Sequence, residues 1–224
     1  MKPEVRIGVV DSGHDLSGQP PAAARRFALA HAGLLEHEAE ADALGHGSAV
    51  SAAILERAGE ARLYVAQVFD GRGVTSALQV AAAIEWLLAC QVRVINLSLG
   101  LREDRPVLRQ ACALAVEAGI LLCASSPAQG SPVYPAAYPG VLRVTGDARC
   151  LPQQWSWLGS AQADVGACVR SADGRLSGAS LGCAALTGHL AAFLQQHPDA
   201  SNQGIRDWLH EQAHYHGPER RLAP

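Results

Sequence analysis

The chain has 224 residues, 49% of them hydrophobic and 17% charged, which excludes a disordered chain and suffices for one large domain spanning residues 1–224 with a buried core. A net charge of −3 at pH 7, with Arg25-Arg26 and Arg220-Arg221 as the only adjacent basic pairs, excludes the clustered basic footprint of a nucleic-acid binder. No run approaches the roughly 18 consecutive apolar residues of a membrane span, and MKPEVRIGVVDSG lacks the long apolar stretch and cleavage site of a signal peptide, so the expected location is cytoplasmic.

In chain order, Glu4–Val10 is a β-branched run that predicts a strand ending at Asp11-Ser12-Gly13. The Ala-rich Pro21–Leu35 predicts a helix, and another is expected from near His46 to Arg57. Arg62–Val68 reads as a strand and Ser76–Cys90 as a helix capped by Ser76. Val92–Leu97 is a fully apolar strand, Arg105–Ala118 a helix closed by Gly119, and Ile120–Ala124 and Val141–Thr145 are further strands. Ala179–Gln196 and Ser201–His214 are the last two helices. Apolar strands separated by helices mean an α/β domain with a mostly parallel sheet buried on both faces, whose ligands bind at the carboxyl ends of the strands. Six cysteines sit in apolar surroundings without CxxC spacing, which favours free, buried thiols in a reducing compartment.

Three local patterns carry chemistry. Val9-Val10-Asp11-Ser12-Gly13 places an acid at a strand end, Gly45-His46-Gly47-Ser48 a histidine at a helix start, and Ser177-Gly178-Ala179-Ser180-Leu181 a serine opening a small-residue helix. Singly, the acid and the serine are ordinary caps and the histidine is ordinarily just exposed. Together, in the order acid, base, nucleophile, they form the set that serine catalysis needs: an acid that orients an imidazole, and an imidazole that takes the hydroxyl proton.

The chain resembles the subtilisin-like serine peptidases over nearly its whole length. VINLSLG (Val94–Gly100) resembles that family's substrate-binding strand, YPAAYPGVLRVTG (Tyr134–Gly146) the stretch after its oxyanion loop, and SGASLGCAALTGHLAA its nucleophile helix. The resemblance implies the family's three-layer fold and a serine endopeptidase with Asp11 orienting His46, His46 acting as general base and then acid, and Ser180 attacking the peptide carbonyl. It implies that Ser98, Leu99 and Gly100 pair with the substrate backbone, and that the first specificity pocket lies between Ser98–Gly100 and Ala124–Ser126 with Val133 at its base. The partner is then a peptide or protein substrate, such as one precursor to be processed. A peptidase must avoid digesting its neighbours, and narrow specificity, a dedicated partner protein of unknown identity or low activity could each do that. No cofactor, structural calcium or other metal is expected.

The sequence departs from the family where an asparagine normally completes the oxyanion hole. Ungapped, Ala128 takes that position, leaving Gln129, Ser126 and Ser125 as candidate donors. The threonine usual before the nucleophile is Ala179, and the proline usual later in that helix is Ala184. Two other readings stand beside the peptidase. A defective oxyanion hole suits a peptide-binding module that holds without cutting. His210-Glu211-Gln212-Ala213-His214 matches the HExxH zinc-peptidase pattern, although the next ligand position holds Arg220 and Met1 is the only methionine.

Overall fold

Ile7, Val9 and Val10 are all fully buried, so the first strand has no face left for water and must be covered on both sides. The computed structural model, which describes residues 4–15, 19–31, 33–171, 174 and 176–219, supplies that cover. In chain order its elements are β1 (Arg6–Asp11), β2 (Ala23–Ala30), β3 (Gly33–Glu38), α1 (His46–Leu55), β4 (Arg62–Gln67), α2 (Ala77–Ala89), β5 (Val94–Leu97), α3 (Pro106–Glu117), β6 (Leu121–Ser125), β7 (Leu142–Gly146), β8 (Trp155–Trp157), β9 (Val165–Ala167), α4 (Ala179–Gln196), α5 (Asn202–Glu211) and β10 (Tyr215–His216).

The strands form one sheet in the order β10-β8-β9-β7-β6-β5-β1-β4-β2-β3. Only β2–β3 and β8–β9 pair antiparallel. Alternate residues of the central strands feed two cores. Ile7, Val9, Val94, Leu121 and Cys123 pack with α1, α4 and α5 on one face. Val10, Ile95, Leu97, Leu122 and Ala124 pack with α2 and α3 on the other. The outcome is the expected three-layer α/β arrangement around a mostly parallel sheet. Its carboxyl edge brings the ends of the neighbouring strands β1, β5 and β6 together, and there Asp11, Ser98 and Ser125 lie side by side.

The expectation of a helix over Pro21–Leu35 is corrected: this segment is the β2–β3 hairpin. Ala23–Arg26 pair in parallel with Tyr64–Gln67 of β4, and Arg25–Ala30 pair antiparallel with Gly33–Glu38. Alanine's helix preference is worth less than about 1 kcal/mol per residue. Two ladders of backbone hydrogen bonds and the burial of Phe27 outweigh it. Gly33, at φ +117°, opens the return strand in a conformation that suits glycine.

The six cysteines are free, five of them buried and Cys90 half-buried. Desolvation pushes the thiols of Cys112, Cys123 and Cys150 up to about 12, so they pack as small apolar groups. Among the described residues no helix is long and apolar enough to cross a membrane.

Helix α4 approaches the sheet closely because its first turns carry small residues. A Cβ at Gly182 would lie 2.5 Å from the Thr145 carbonyl oxygen, a backbone atom that cannot swing aside. Gly182→Ala is therefore expected to lower stability by about 1–3 kcal/mol, the usual cost of overpacking. Urea denaturation should show the loss, and a wild-type midpoint would mean that α4 sits further from β7.

Candidate active site

Asp11 ends β1 with its side chain fully buried. Its Oδ1 accepts the Ser12 amide at 2.7 Å and lies 2.7 Å from Nδ1 of His46. Oδ2 is buried and has no hydrogen-bond partner among the described residues. A buried carboxylate so placed fixes the tautomer: Nδ1–H donates to Asp11, and Nε2 is left as a base.

His46 is the first residue of α1, and its side chain remains 36% exposed. The hydrogen bond to Asp11 raises its pKa above the ordinary histidine value. Partial burial works against that shift, and the charges of Asp11 and Asp42 add to it. Gly47 is required next in the chain because α1 starts against the first loop, where a Cβ would collide with the Gly13 backbone.

Ser180 is the second residue of α4, after Gly178 at φ 135° and Ala179. Its hydroxyl donates to the Ser98 carbonyl at 3.1 Å, and the Ser98 hydroxyl donates back to the Ser180 carbonyl at 3.0 Å. The structure thus joins Asp11 to His46 and Ser180 to Ser98. Among the described residues no hydrogen bond joins the Ser180 hydroxyl to His46. Behind Ser98 runs a buried chain of donors: Thr187 Oγ1 to Asn96 Oδ1 at 3.1 Å, Asn96 Nδ2 to the Ser98 hydroxyl at 2.8 Å, then Ser98 to Ser180. The chain begins and ends on α4, at the Thr187 hydroxyl and the Ser180 carbonyl, and so ties the start of that helix to β5.

The candidate oxyanion donors separate. The Ser125 hydroxyl donates to the Leu99 carbonyl at 3.3 Å and the Ser126 hydroxyl to the Gln162 carbonyl at 2.6 Å, so both are committed elsewhere. Ala128 and Gln129 line a cavity of about 700 Å³ with Thr145 and Gly146. Those last two residues pack against Gly178 and Gly182 at the start of α4.

Beyond β5, Leu101 and Tyr134 exchange backbone hydrogen bonds at 2.7 and 2.8 Å, which seats Val133 against Gly100. A Cβ on Gly100 would stand 3.1 Å from Val133 Cγ2. Ala124 is corrected as a pocket wall. It is fully buried in the core with Leu97 and Leu122, and its side chain offers nothing to a cleft.

The chain matches the profile of the subtilase family over residues 3–222. The chain belongs to the subtilase family. It is 29% identical over 237 residues to subtilisin E of Bacillus subtilis, covering 95% of this chain and 61% of that protein. It is also 29% identical to a subtilisin of Bacillus pumilus, covering 95% of this chain and 85% of that one. Among solved structures, a cold-adapted subtilisin-like serine proteinase superposes with a TM-score of 0.71 at 20% identity, covering 94% of this chain and 84% of that one. The chain therefore spans about three-fifths of the length of subtilisin E.

Within this subtilase fold the HExxH pattern is dismantled. Helix α5 ends at Glu211, so His210 and His214 do not share a helical face. The His210 ring packs on Trp157 and His216, and the His214 ring on Trp155. Among the described residues no three His, Cys, Asp or Glu side chains gather as a metal site would require. Arg220, the next position of that pattern, and the Arg220-Arg221 pair lie outside the described residues.

One residue of this subtilase site escaped the sequence reading. Asp42 accepts hydrogen bonds from the Ser12 hydroxyl, the Leu44, Gly45 and Ser48 amides and the Ser48 hydroxyl. The available signal was an acid within one turn of a helix start.

The position of Val133 has a consequence for specificity. Its branched side chain fills the space between Gly100 and a cavity of about 660 Å³ that it also lines. Val133→Gly is expected to move the preference before the cut from small or medium residues toward Phe and Tyr by at least about tenfold in kcat/KM, since pocket walls discriminate by roughly 1–3 kcal/mol per methylene. A peptide-library cleavage profile reads this directly. Phe or Tyr already dominating for the unmodified chain would refute the pocket assignment.

Proposed function

We propose that this chain is a serine endopeptidase in which Asp11, His46 and Ser180 form the catalytic triad. The carrying observation is the 2.7 Å contact between His46 Nδ1 and the buried Asp11 carboxylate, at the strand edge where Ser180 opens α4. Membership of the subtilase family and the names of its subtilisin relatives support the same reading.

In this reading a peptide adds as a strand along Ser98–Gly100. Ser180 Oγ attacks the carbonyl carbon while its proton passes to His46 Nε2, and the buried Asp11 carboxylate stabilises the imidazolium that forms. The oxyanion meets the Ser180 amide at the positive end of α4. His46 then returns the proton to the leaving amine, and water hydrolyses the acyl-enzyme through the same base. The narrowing at Val133 supports a restricted substrate, and processing of one peptide or protein precursor fits that restriction.

A fluorophosphonate probe tests the reading, because only an activated serine reacts with it. Stoichiometric labelling together with cleavage in a peptide library is the expected result. Peptide binding with neither labelling nor cleavage would favour the non-cutting peptide-binding module, which the alanine at position 128 supports.

A further inference from the structure

Asp42 lies in the loop before α1, half-buried, and its carboxylate joins both halves of the Asp11–His46 pair. Oδ1 takes the Ser12 hydroxyl at 2.8 Å and the amides of Gly45 at 2.9 Å and Leu44 at 3.2 Å. Oδ2 takes the Ser48 amide and the Ser48 hydroxyl, both at 2.8 Å. The Ser12 hydroxyl in turn accepts the Gly47 amide at 2.9 Å. Ser12 follows Asp11 and donates its own amide to that side chain, while Gly47 and Ser48 follow His46. One carboxylate therefore fixes the residue after the acid and the residues on both sides of the base. Gly45, which precedes His46 at φ 71°, makes no side-chain cap of its own, so Asp42 supplies the cap to α1 from upstream.

We propose that Asp42 is a positioning residue of the peptidase, a clamp that sets the spacing between Asp11 and His46 and adds negative charge behind the imidazole. Burial works against the Asp42 anion, yet the hydrogen bonds from Ser48, Ser12 and Gly45 hold its carboxyl below the usual carboxylate range, so the clamp is charged at neutral pH. The charged groups that bear on His46 are Asp11 on β1 and Asp42 in this loop, and both favour its protonated form. His46 works as a base only when neutral, so these two carboxylates set the acid limb of the pH–rate profile. Without Asp42's charge the imidazolium loses stabilisation, the His46 pKa falls, and the limb moves to lower pH. A cap that served only α1 would affect stability and leave the limb in place.

The proposal rests on the peptidase reading, and Asp42→Asn tests it with two readouts. The substitution keeps the shape but loses the charge and presents an amide to donors. The first readout is the pH dependence of kcat, expected to show a plateau lower by roughly tenfold, since small misplacements of catalytic groups cost that much or more, and an acid limb at lower pH. The second is NMR titration of the His46 ring in a Ser180→Ala background, which needs no turnover and should give a lower midpoint in the variant. Ser12→Ala removes the bridge, and with it the acceptor of the Gly47 amide, but leaves the Asp42 bonds to Gly45 and Ser48 in place. It should lower kcat without changing KM, and the double variant should lose little more than Asp42→Asn alone, because the two residues share one network. An unmoved His46 midpoint in Asp42→Asn overturns the clamp whether or not the chain cleaves peptides. Should that variant fail to fold, a wild-type kcat in Ser12→Ala overturns it. A wild-type chain that neither labels nor cleaves defeats the peptidase reading instead, and the NMR titration still judges the clamp.

Discussion

Ser180→Ala is expected to abolish fluorophosphonate labelling and to lower kcat by roughly a millionfold, the loss that follows removal of the serine or histidine from a subtilisin-type triad. The fold should survive. Among the described residues the deleted hydroxyl makes a single hydrogen bond, to the Ser98 carbonyl, while the reverse bond from Ser98 ends on the Ser180 backbone and persists. A bond of this kind is worth about 1 kcal/mol, so the melting temperature should move by a few degrees at most. His46→Ala should be nearly as severe. The double variant should be no worse than either single one, because triad members act as a unit. Separate, additive losses would show that Ser180 and His46 do not share one proton transfer. Full activity in Ser180→Ala would place the nucleophile elsewhere.

The parts of this molecule that were legible in the sequence are those where local pattern and tertiary demand agree. The apolar runs of β1, β5 and β6 could only be buried strands. Helix α4 was readable to its ends because small residues continue from Gly178 to the last turn. The hairpin over Ala23–Glu38 was not legible, since its strand state comes from pairing with β4 and not from its alanines. The short strands β8, β9 and β10, of two or three residues each, carry too little sequence for any period to show. At the site, Asp11, His46 and Ser180 each sit in a glycine-marked motif. Asp42 has no motif, and its importance comes from hydrogen bonds that exist only once β1 and α1 have docked. Ala124 was misplaced as a pocket wall for a related reason: which face of a buried strand a residue takes is settled by both neighbouring layers, not by the run itself.

Ala128→Asn is expected to raise kcat by about 10², because a side-chain donor in a subtilisin-type oxyanion hole is worth roughly 10²–10³ in rate. Ala128 borders a cavity of about 700 Å³ floored by Thr145 and Gly146, with room for an amide that alanine leaves unused. Thr145 and Gly146 pack against Gly178 and Gly182, which flank Ser180 at the start of α4. The competing donors are weak. The Ser125 and Ser126 hydroxyls already serve the Leu99 and Gln162 carbonyls, and turning either toward substrate would break a buried hydrogen bond. Gln129 lines the same cavity and makes no side-chain hydrogen bond among the described residues, so it is the amide free to substitute. Gln129→Ala should therefore lower kcat with little change in KM, since the interaction forms only as charge develops on the oxygen. In the double variant Ala128→Asn should restore most of what Gln129→Ala removes, since both amides would serve one oxyanion. If neither single substitution moves kcat, the oxyanion is held by backbone amides alone, and residues 128 and 129 face a cavity that the substrate carbonyl never enters.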